Sequence, residues 1–248
     1  MMARHRTQLL ELARNYGNVD MMCLDIFLGP DEWPHMKETI KEVRRLQPNV
    51  MLRNRGIGNY GDYYTPERVV PGEIAGNPMP WMVIYPLGTN FSYDGEAKNY
   101  KGAKWVVDNL VDCVAKGGNF MVGIGPDGNG RFHPTAIAQL EEVGAWLKTN
   151  GEGIFGTHLR GTDNWKDGDD VRLTDSDDSR HVYAFFLKRP AGPVTLHSVR
   201  VESGAKITLL GQSEPLKWRP ADAGAVVVDF PASAPQSLAY ALKIESKH

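Results

Sequence analysis

Two patterns of hydrophobic residues alternate along the first two thirds of the chain. Spacings of three and four residues, as in Met36, Ile40 and Val43, predict helices with one apolar face. Short continuous apolar runs lie between these segments and are typical of strands buried in a parallel sheet. The pattern predicts helices at 4–15, 32–46, 100–116 and 134–150, and strands at 19–27, 50–52, 81–85 and 119–124.

Strands that alternate with helices indicate a parallel sheet with the helices packed on its outside. About four strand–helix units fit into residues 1–156. A long connection at 53–80, rich in Gly, Asn, Tyr and Pro, interrupts the alternation. Because connections of this length in compact domains are usually functional or disordered, this one is a candidate for part of a site.

The pattern changes at about residue 157, where the helical periodicity ends. Short β-rich runs replace it, separated by Gly, Pro and Asp, and this spacing predicts a small antiparallel β-sandwich. We therefore predict two domains, an α/β domain at 1–156 and a β-sandwich at 157–248. The β-rich runs are 181–187, 194–199, 206–210, 225–229 and 238–244.

The composition is that of a globular protein of 248 residues, with 42% hydrophobic residues, 23% charged residues and a formal net charge of −2. A charge so close to neutral argues against nucleic-acid binding, which usually requires a basic face. No apolar run approaches the roughly 20 residues that span a bilayer, and the N-terminus lacks the apolar core of a signal peptide. We therefore expect a cytoplasmic protein with no nucleic-acid or membrane partner.

Cysteine and histidine give no sign of a metal or disulfide framework. Cys23 and Cys113 lie in apolar segments, where buried free thiols are common, and one bridge between them is the alternative. The seven histidines show no spacing typical of zinc ligands. The sequence therefore implies neither a metal nor an organic cofactor.

Candidate chemistry lies where the predicted strands end. Asp25 ends the run at 19–27, and ligands of parallel α/β proteins bind at the carboxyl ends of strands. Arg55 follows the next strand, and Glu67 lies in the long connection. Taken singly, they also fit a turn cap, a surface arginine and the first turn of a helix. Together, two carboxylates and an arginine suit glycoside chemistry, with one acid for the leaving oxygen and one carboxylate for the anomeric carbon.

Aromatic residues near the predicted strand at 81–85 could stack on a sugar, although such residues more often belong to the core. They are Trp81, Tyr85, Phe91 and Tyr93. The run GIGPDGNG lacks the Lys-Ser/Thr of a phosphate-binding loop, and no Ser-His-Asp arrangement has local support.

Several longer motifs resemble one enzyme family. The runs NYGNVDMMCLD, RRLQPNVMLRNR and GDYYTPE, followed by KGGN, IGP and WLKTNGEGIFGT, resemble the second half of the catalytic domain of retaining α-L-fucosidases, glycoside hydrolase family 29. The resemblance covers residues 7–157. It implies the C-terminal half of a TIM-like (β/α) barrel, followed by the family's C-terminal β-sandwich.

The resemblance also implies roles for individual residues. Asp25 matches the nucleophile at the end of the fourth barrel strand, and Arg55 matches the arginine of the NDR motif, which contacts the sugar or the carboxylates. Glu67 matches the acid/base of some members. Trp81 matches the tryptophan of the W-E motif, and Phe91 stands where S-W-G-Y has its tryptophan.

Some positions depart from the family pattern. Met82 replaces the glutamate of the W-E motif, and Cys23 replaces the tryptophan of the W-x-D before the nucleophile. Three further strand–helix units of the family, which supply sugar-binding histidines and a glutamate, have no counterpart here. A half-barrel exposes sheet edges and an apolar face, so we predict a homo-oligomer that covers them.

The resemblance implies hydrolysis of terminal α-L-fucosides with retention. A shallow site should also favour small or aryl leaving groups and allow transfer to other acceptors. Two alternatives stay open: a catalytically inactive carbohydrate-binding remnant, and a retaining glycosidase for another sugar. Full-length members of the family are often exported, whereas this chain is expected in the cytoplasm.

Overall fold

The computed structural model describes residues 1–25, 27–72 and 79–246. The chain divides into two compact units. The first comprises Met1–Pro66 and Gly76–Met82, and the second comprises Glu67–Ala75 and Val83–His248. The predicted domain boundary between residues 156 and 157 stays a prediction.

Two helices and a pair of short parallel strands build the first unit. They are α1 (Met2–Asn15), β1 (Met21–Met22), α2 (Trp33–Leu46) and β2 (Met51–Leu52). Leu9, Ala13, Met36 and Ile40 bury the apolar faces of the two helices in one core, which Leu52 joins from β2. Spacings of three and four residues place these side chains on one face of each helix, as the sequence predicts.

The first strand is shorter than predicted. Only Met21 and Met22 of the run at 19–27 pair with β2, and residue 26 lies outside the described residues. The alternation of side chains nevertheless continues, because Met22 and Leu24 are buried whereas Cys23 and Asp25 are exposed. An extended backbone therefore carries Asp25 to the solvent-facing side.

The long connection at 53–80 contains more structure than its composition predicts. In the first unit Tyr63 forms a parallel bridge with Arg53, and Tyr64 forms one with Trp81. A 3-10 turn at Gly58–Tyr60 precedes this extended segment. The sequence does not predict this extended segment, because the glycine and proline residues on both sides of it are typical of loops. The part of the predicted connection at 73–78 lies outside the described residues.

The second unit begins with alternating strands and helices. They are β3 (Met82–Pro86), α3 (Ala103–Ala115), β4 (Asn119–Gly123) and α4 (Pro134–Asn150), close to the predicted bounds. β3 and β4 are neighbours in one sheet. His133 caps α4, since its Nδ1 accepts a hydrogen bond from the Thr135 backbone N–H at 3.2 Å. Val107, Val111, Val143 and Trp146 bury the inner faces of α3 and α4.

Antiparallel strands follow, as predicted. The strands are β5 (Thr157–His158), β6 (Val171–Ser176), β7 (His181–Phe186), β8 (Val194–Leu196), β9 (Ile207–Leu209), β10 (Trp218–Pro220), β11 (Val226–Val228) and β12 (Tyr240–Glu245). They form a five-stranded sheet in the order β5-β6-β7-β12-β9 and a three-stranded sheet in the order β10-β11-β8. Leu173, Val182 and Leu242 from the larger sheet share one core with Leu196 and Val226 from the smaller. The two sheets therefore pack against each other.

The sequence pattern misses β6 because polar residues interrupt its apolar alternation. Thr174 and Asp175 of this strand are buried. The Thr174 hydroxyl donates to the Gly153 carbonyl at 2.9 Å, and Asp175 Oδ1 lies 3.7 Å from Arg160 Nη1. Polar partners nearby in space thus allow these polar side chains in a buried strand. Across the described ranges, no helix combines the length and apolar character that crossing a membrane requires.

Candidate functional site

Asp25 and Arg55 form an ion pair in the first unit. Asp25 Oδ1 accepts a hydrogen bond from Arg55 Nη1 at 2.5 Å. The Asp25 side chain is 71% exposed, whereas that of Arg55 is 20% exposed. The carboxylate is therefore held by a charge-assisted hydrogen bond and remains accessible to a ligand.

Arg53 is a second cation beside the same carboxylate, and the sequence analysis missed it. Its Nη1 lies 3.6 Å from Asp25 Oδ1 and 3.4 Å from Cys23 Sγ. Arg53 is 3% exposed, and its Nε has no hydrogen-bond partner among the described residues. The available signal is the position of Arg53 directly after β2, at the carboxyl end of the strand, where ligands of parallel α/β proteins bind.

The surroundings of Cys23 differ from what the sequence predicts. Both cysteines are free, and Cys113 is buried as its apolar segment predicts. Cys23 is exposed, because the strand alternation turns its side chain away from the core. Burial, reinforced by Cys23, raises the pKa of the Tyr63 phenol to about 12. Tyr63 is therefore a neutral donor at ordinary pH, and its hydroxyl donates to the Met22 carbonyl at 3.4 Å.

Trp81 also belongs to the first unit, where it is buried. It bridges Tyr64 in parallel, and the Tyr64 backbone N–H donates to the Pro80 carbonyl at 3.0 Å. The Met82 backbone N–H donates in turn to the Tyr64 carbonyl at 3.0 Å. The extended segment at 63–64 thus fixes the backbone on both sides of Trp81.

Glu67 and Phe91 lie in the second unit, where Arg68 links their segments. Glu67 forms a parallel bridge with Ile84. Arg68, the next residue, has a left-handed backbone with φ of +58°, which costs energy for a side chain other than glycine. Its guanidinium donates to the Thr89 carbonyl at 3.1 Å and lies 5.1 Å from the centre of the Phe91 ring.

The other two aromatic candidates occupy different environments. Tyr85 packs edge-to-face against Trp105, with ring centres 5.0 Å apart, and it also neighbours Phe120. Tyr85 is half-buried, and its ring packs against two other aromatic rings of the second unit. Tyr93 is exposed. The structure thus brings Asp25 and Arg55 together within the first unit and links the segments of Glu67 and Phe91 within the second; the pairing of Asp25 with Glu67 stays a prediction.

Comparison with protein families identifies the chain. Residues 2–152, more than half of it, match the family described as alpha-L-fucosidase. The chain belongs to the α-L-fucosidase family. Residues 164–245 match the alpha-L-fucosidase C-terminal domain, which corresponds to the antiparallel sheets. The resemblance seen in the motifs is confirmed.

Individual α-L-fucosidases are also similar to this chain in sequence. It is 32% identical over 181 residues to the plasma alpha-L-fucosidase of Homo sapiens, covering 71% of this chain and 38% of that protein. It is 30% identical over 185 residues to the alpha-L-fucosidase of Branchiostoma floridae, covering 73% of this chain and 40% of that protein. The matched segment thus spans about two fifths of the length of these curated relatives.

Solved structures extend the similarity to the whole chain. Alpha-L-fucosidase isoenzyme 1 from Paenibacillus thiaminolyticus is similar with a TM-score of 0.86 and 28% identity, covering 100% of this chain and 62% of that structure. A GH29 alpha-L-fucosidase from Bacteroides thetaiotaomicron, a trapped covalent intermediate in complex with 2-fluoro-fucosyl fluoride, has a TM-score of 0.84 and 20% identity. It covers 98% of this chain and 60% of that structure, and it shows the shared fold.

Proposed function

We propose that this chain hydrolyses terminal α-L-fucosides by double displacement. The observation that carries the proposal is the accessible Asp25 carboxylate held by Arg55 and Arg53, in a chain of the α-L-fucosidase family. The trapped covalent intermediate of the Bacteroides relative supports a covalent route. Small fucosylated saccharides are the proposed substrates.

In the first step, an Asp25 oxygen forms a bond to the anomeric carbon as the bond to the glycosidic oxygen breaks. Glu67 transfers its proton to that departing oxygen. In the second step, water attacks the anomeric carbon, Glu67 accepts its proton and the bond to Asp25 breaks, which releases fucose with retained configuration. This mechanism requires the two carboxyl groups to lie roughly 5 to 5.5 Å apart.

Arg55 and Arg53 orient the Asp25 carboxylate through ion pairs, which positions its oxygen to attack the anomeric carbon. Trp81 and Phe91 are proposed contacts of the sugar, and Arg68 holds the Phe91 ring from the segment that carries Glu67. We also propose that the strand–helix elements are part of a (β/α) barrel. The parallel pairing of β1 with β2 and the similarity to the Paenibacillus structure support that arrangement.

The first test is turnover of 4-nitrophenyl α-L-fucoside and of α-L-fucosyl fluoride by the purified chain, beside a panel of other nitrophenyl glycosides. Turnover of the fucosides supports the proposal. Turnover of another glycoside alone indicates a retaining glycosidase for that sugar. A folded chain that turns over none of them contradicts the proposal and favours a carbohydrate-binding remnant.

We expect Glu67→Gln to lower kcat/KM selectively for substrates with poor leaving groups. General acid catalysis contributes about 10² to 10⁴-fold, and a leaving group that departs readily as an anion needs little of it. The kcat/KM of phenyl α-L-fucoside should therefore fall far more than that of 4-nitrophenyl α-L-fucoside. Glu96→Gln, an exposed glutamate of the same unit, is the control. An equal fall for both substrates would contradict the acid role of Glu67.

We also propose that the chain self-associates through the exposed face of β1 and β2. Met21 and Met51 are directly paired across these strands, and both side chains are exposed. An exposed pair of large apolar side chains on a sheet is a suitable contact for a second copy. Light scattering at micromolar concentration should show an oligomer that the double variant Met21→Gln, Met51→Gln dissociates. A monomeric wild-type chain would contradict this proposal.

A further inference from the structure

An open cleft of about 720 Å³ lies in the first unit, outside the residues assigned so far. One side is formed by the segment from Phe27 to Trp33, and the other by the segment from Asn54 to Tyr60. We call it the aromatic cleft, after Phe27, Trp33 and Tyr60. Its volume lies in the range of small-molecule sites, which are about 300 to 1,000 Å³.

Two of its aromatic side chains support each other. The rings of Trp33 and Tyr60 meet edge-to-face, with centres 5.3 Å apart. Lys37 Nζ lies 5.2 Å from the centre of the Tyr60 ring. Contacts of both kinds are attractive and orient the rings, so this wall of the cleft is preorganised.

Phe27 differs from these two, because its side chain is 87% exposed. An aromatic ring so exposed contributes little to the core and presents a flat apolar surface to a ligand. The Arg55 guanidinium lies 5.6 Å from the centre of the Phe27 ring, and the same guanidinium holds Asp25. Phe27, at one end of the aromatic cleft, therefore lies beside the guanidinium that pairs with the proposed nucleophile.

We propose that the aromatic cleft is the subsite for the leaving group of a fucoside and binds the flat face of its ring. This inference rests on the proposed function, since it takes the Asp25 carboxylate as the point where the glycosidic bond breaks. Asn54 and Asn59 also line the cleft, and their amides offer donors and acceptors for hydroxyl or nitro groups at the ring edge. Fucosides that carry a ring at the glycosidic position are the substrate class that this arrangement selects.

The test is calorimetric binding of three thioglycosides that resist hydrolysis. Methyl 1-thio-α-L-fucoside has no ring in the leaving group, the 4-nitrophenyl thioglycoside has an aryl ring, and a thio-linked fucosyl-glucose has a sugar ring. We expect at least one of the ring-bearing ligands to bind the wild-type chain about tenfold more tightly than the methyl ligand. The ligand that binds more tightly shows whether the cleft prefers an aryl ring or a sugar ring in the leaving group.

Phe27→Ala should remove most of that gain while changing the affinity for the methyl ligand less than twofold. Because Phe27 is exposed, the variant is expected to fold. Tyr16→Ala, an exposed aromatic residue of α1's C-terminal end, is the control and should preserve the gain. Equal affinities for all three ligands, the absence of binding, or an equal loss for all ligands in Phe27→Ala would overturn the inference. Wild-type turnover of fucosyl fluoride, whose leaving group contains no ring, reports separately on the proposed function.

Discussion

Asp25→Gly is expected to abolish turnover of 4-nitrophenyl α-L-fucoside, with a loss on the order of 10⁴-fold or more, as is usual when a covalent nucleophile is removed. Arg55 and Arg53 cannot replace it, because guanidinium groups stay protonated and have no electron pair to donate. The measurement is kcat in steady-state assays, with circular dichroism to show that the variant is folded.

Sodium azide should restore part of this activity. The glycine leaves room for a small anion on the face from which the carboxylate attacks. Azide then forms a bond to the anomeric carbon as the bond to 4-nitrophenolate breaks, and a single inversion gives β-L-fucosyl azide, which NMR identifies. Asp20→Gly, an exposed aspartate of the same unit, is the control and should keep wild-type turnover. Wild-type activity in Asp25→Gly, or azide rescue that yields the α-anomer, would contradict the nucleophile assignment.

The sequence predicts the Asp25–Arg55 pair because position along a parallel strand determines position in space. Both residues follow apolar runs, and the carboxyl ends of paired parallel strands lie at one edge. Arg53 follows the same rule, yet it is missed because nothing in its neighbours indicates that a charged side chain is buried. Its burial depends on Cys23 and Tyr63, which are 30 and 10 residues away along the chain, and on their packing.

The helices and the strands β3 and β4 lie within three residues of their predicted bounds, whereas β1, β6 and the long connection differ from the prediction. A helix such as α4 depends on local spacing and on the local signals of His133 and Pro134. A strand depends on partners that are distant in sequence, so β1 is short and β6 is missed. The left-handed Arg68 likewise follows from contacts with Thr89 and Phe91, which no local pattern contains.

A buried ionic cluster in the second unit carries the other large expected effect. Asp112 of α3 accepts hydrogen bonds from Arg172 Nε of β6 and from Lys116 Nζ, each at 2.5 Å. The three side chains are at most 17% exposed. Lys116 Nζ also donates to the Pro71 carbonyl at 2.7 Å. Both cations lie over the Trp165 ring, at 4.7 Å for Lys116 and 5.2 Å for Arg172.

Asp112→Ala is expected to lower the free energy of unfolding by about 3 to 5 kcal/mol, because it leaves two cations in a poorly solvated site without their anion. That is a large part of the roughly 5 to 15 kcal/mol that stabilises a typical protein. The measurement is urea unfolding. Asp170→Ala, which breaks the exposed pair between Asp170 and Lys188, is the matched control and should leave the midpoint nearly unchanged.

The cluster should also show coupling between its members. Arg172→Met removes one cation but keeps an apolar side chain against Trp165, so in the Asp112→Ala background it relieves part of the uncompensated charge. The double variant should therefore be destabilised by less than the sum of the two single variants. Additive losses, or an Asp112→Ala midpoint that matches that of Asp170→Ala, would mean that the carboxylate does not stabilise the contact between α3 and β6. A coupled loss would establish that Asp112 stabilises the contact between α3 and β6, independently of any activity on fucosides.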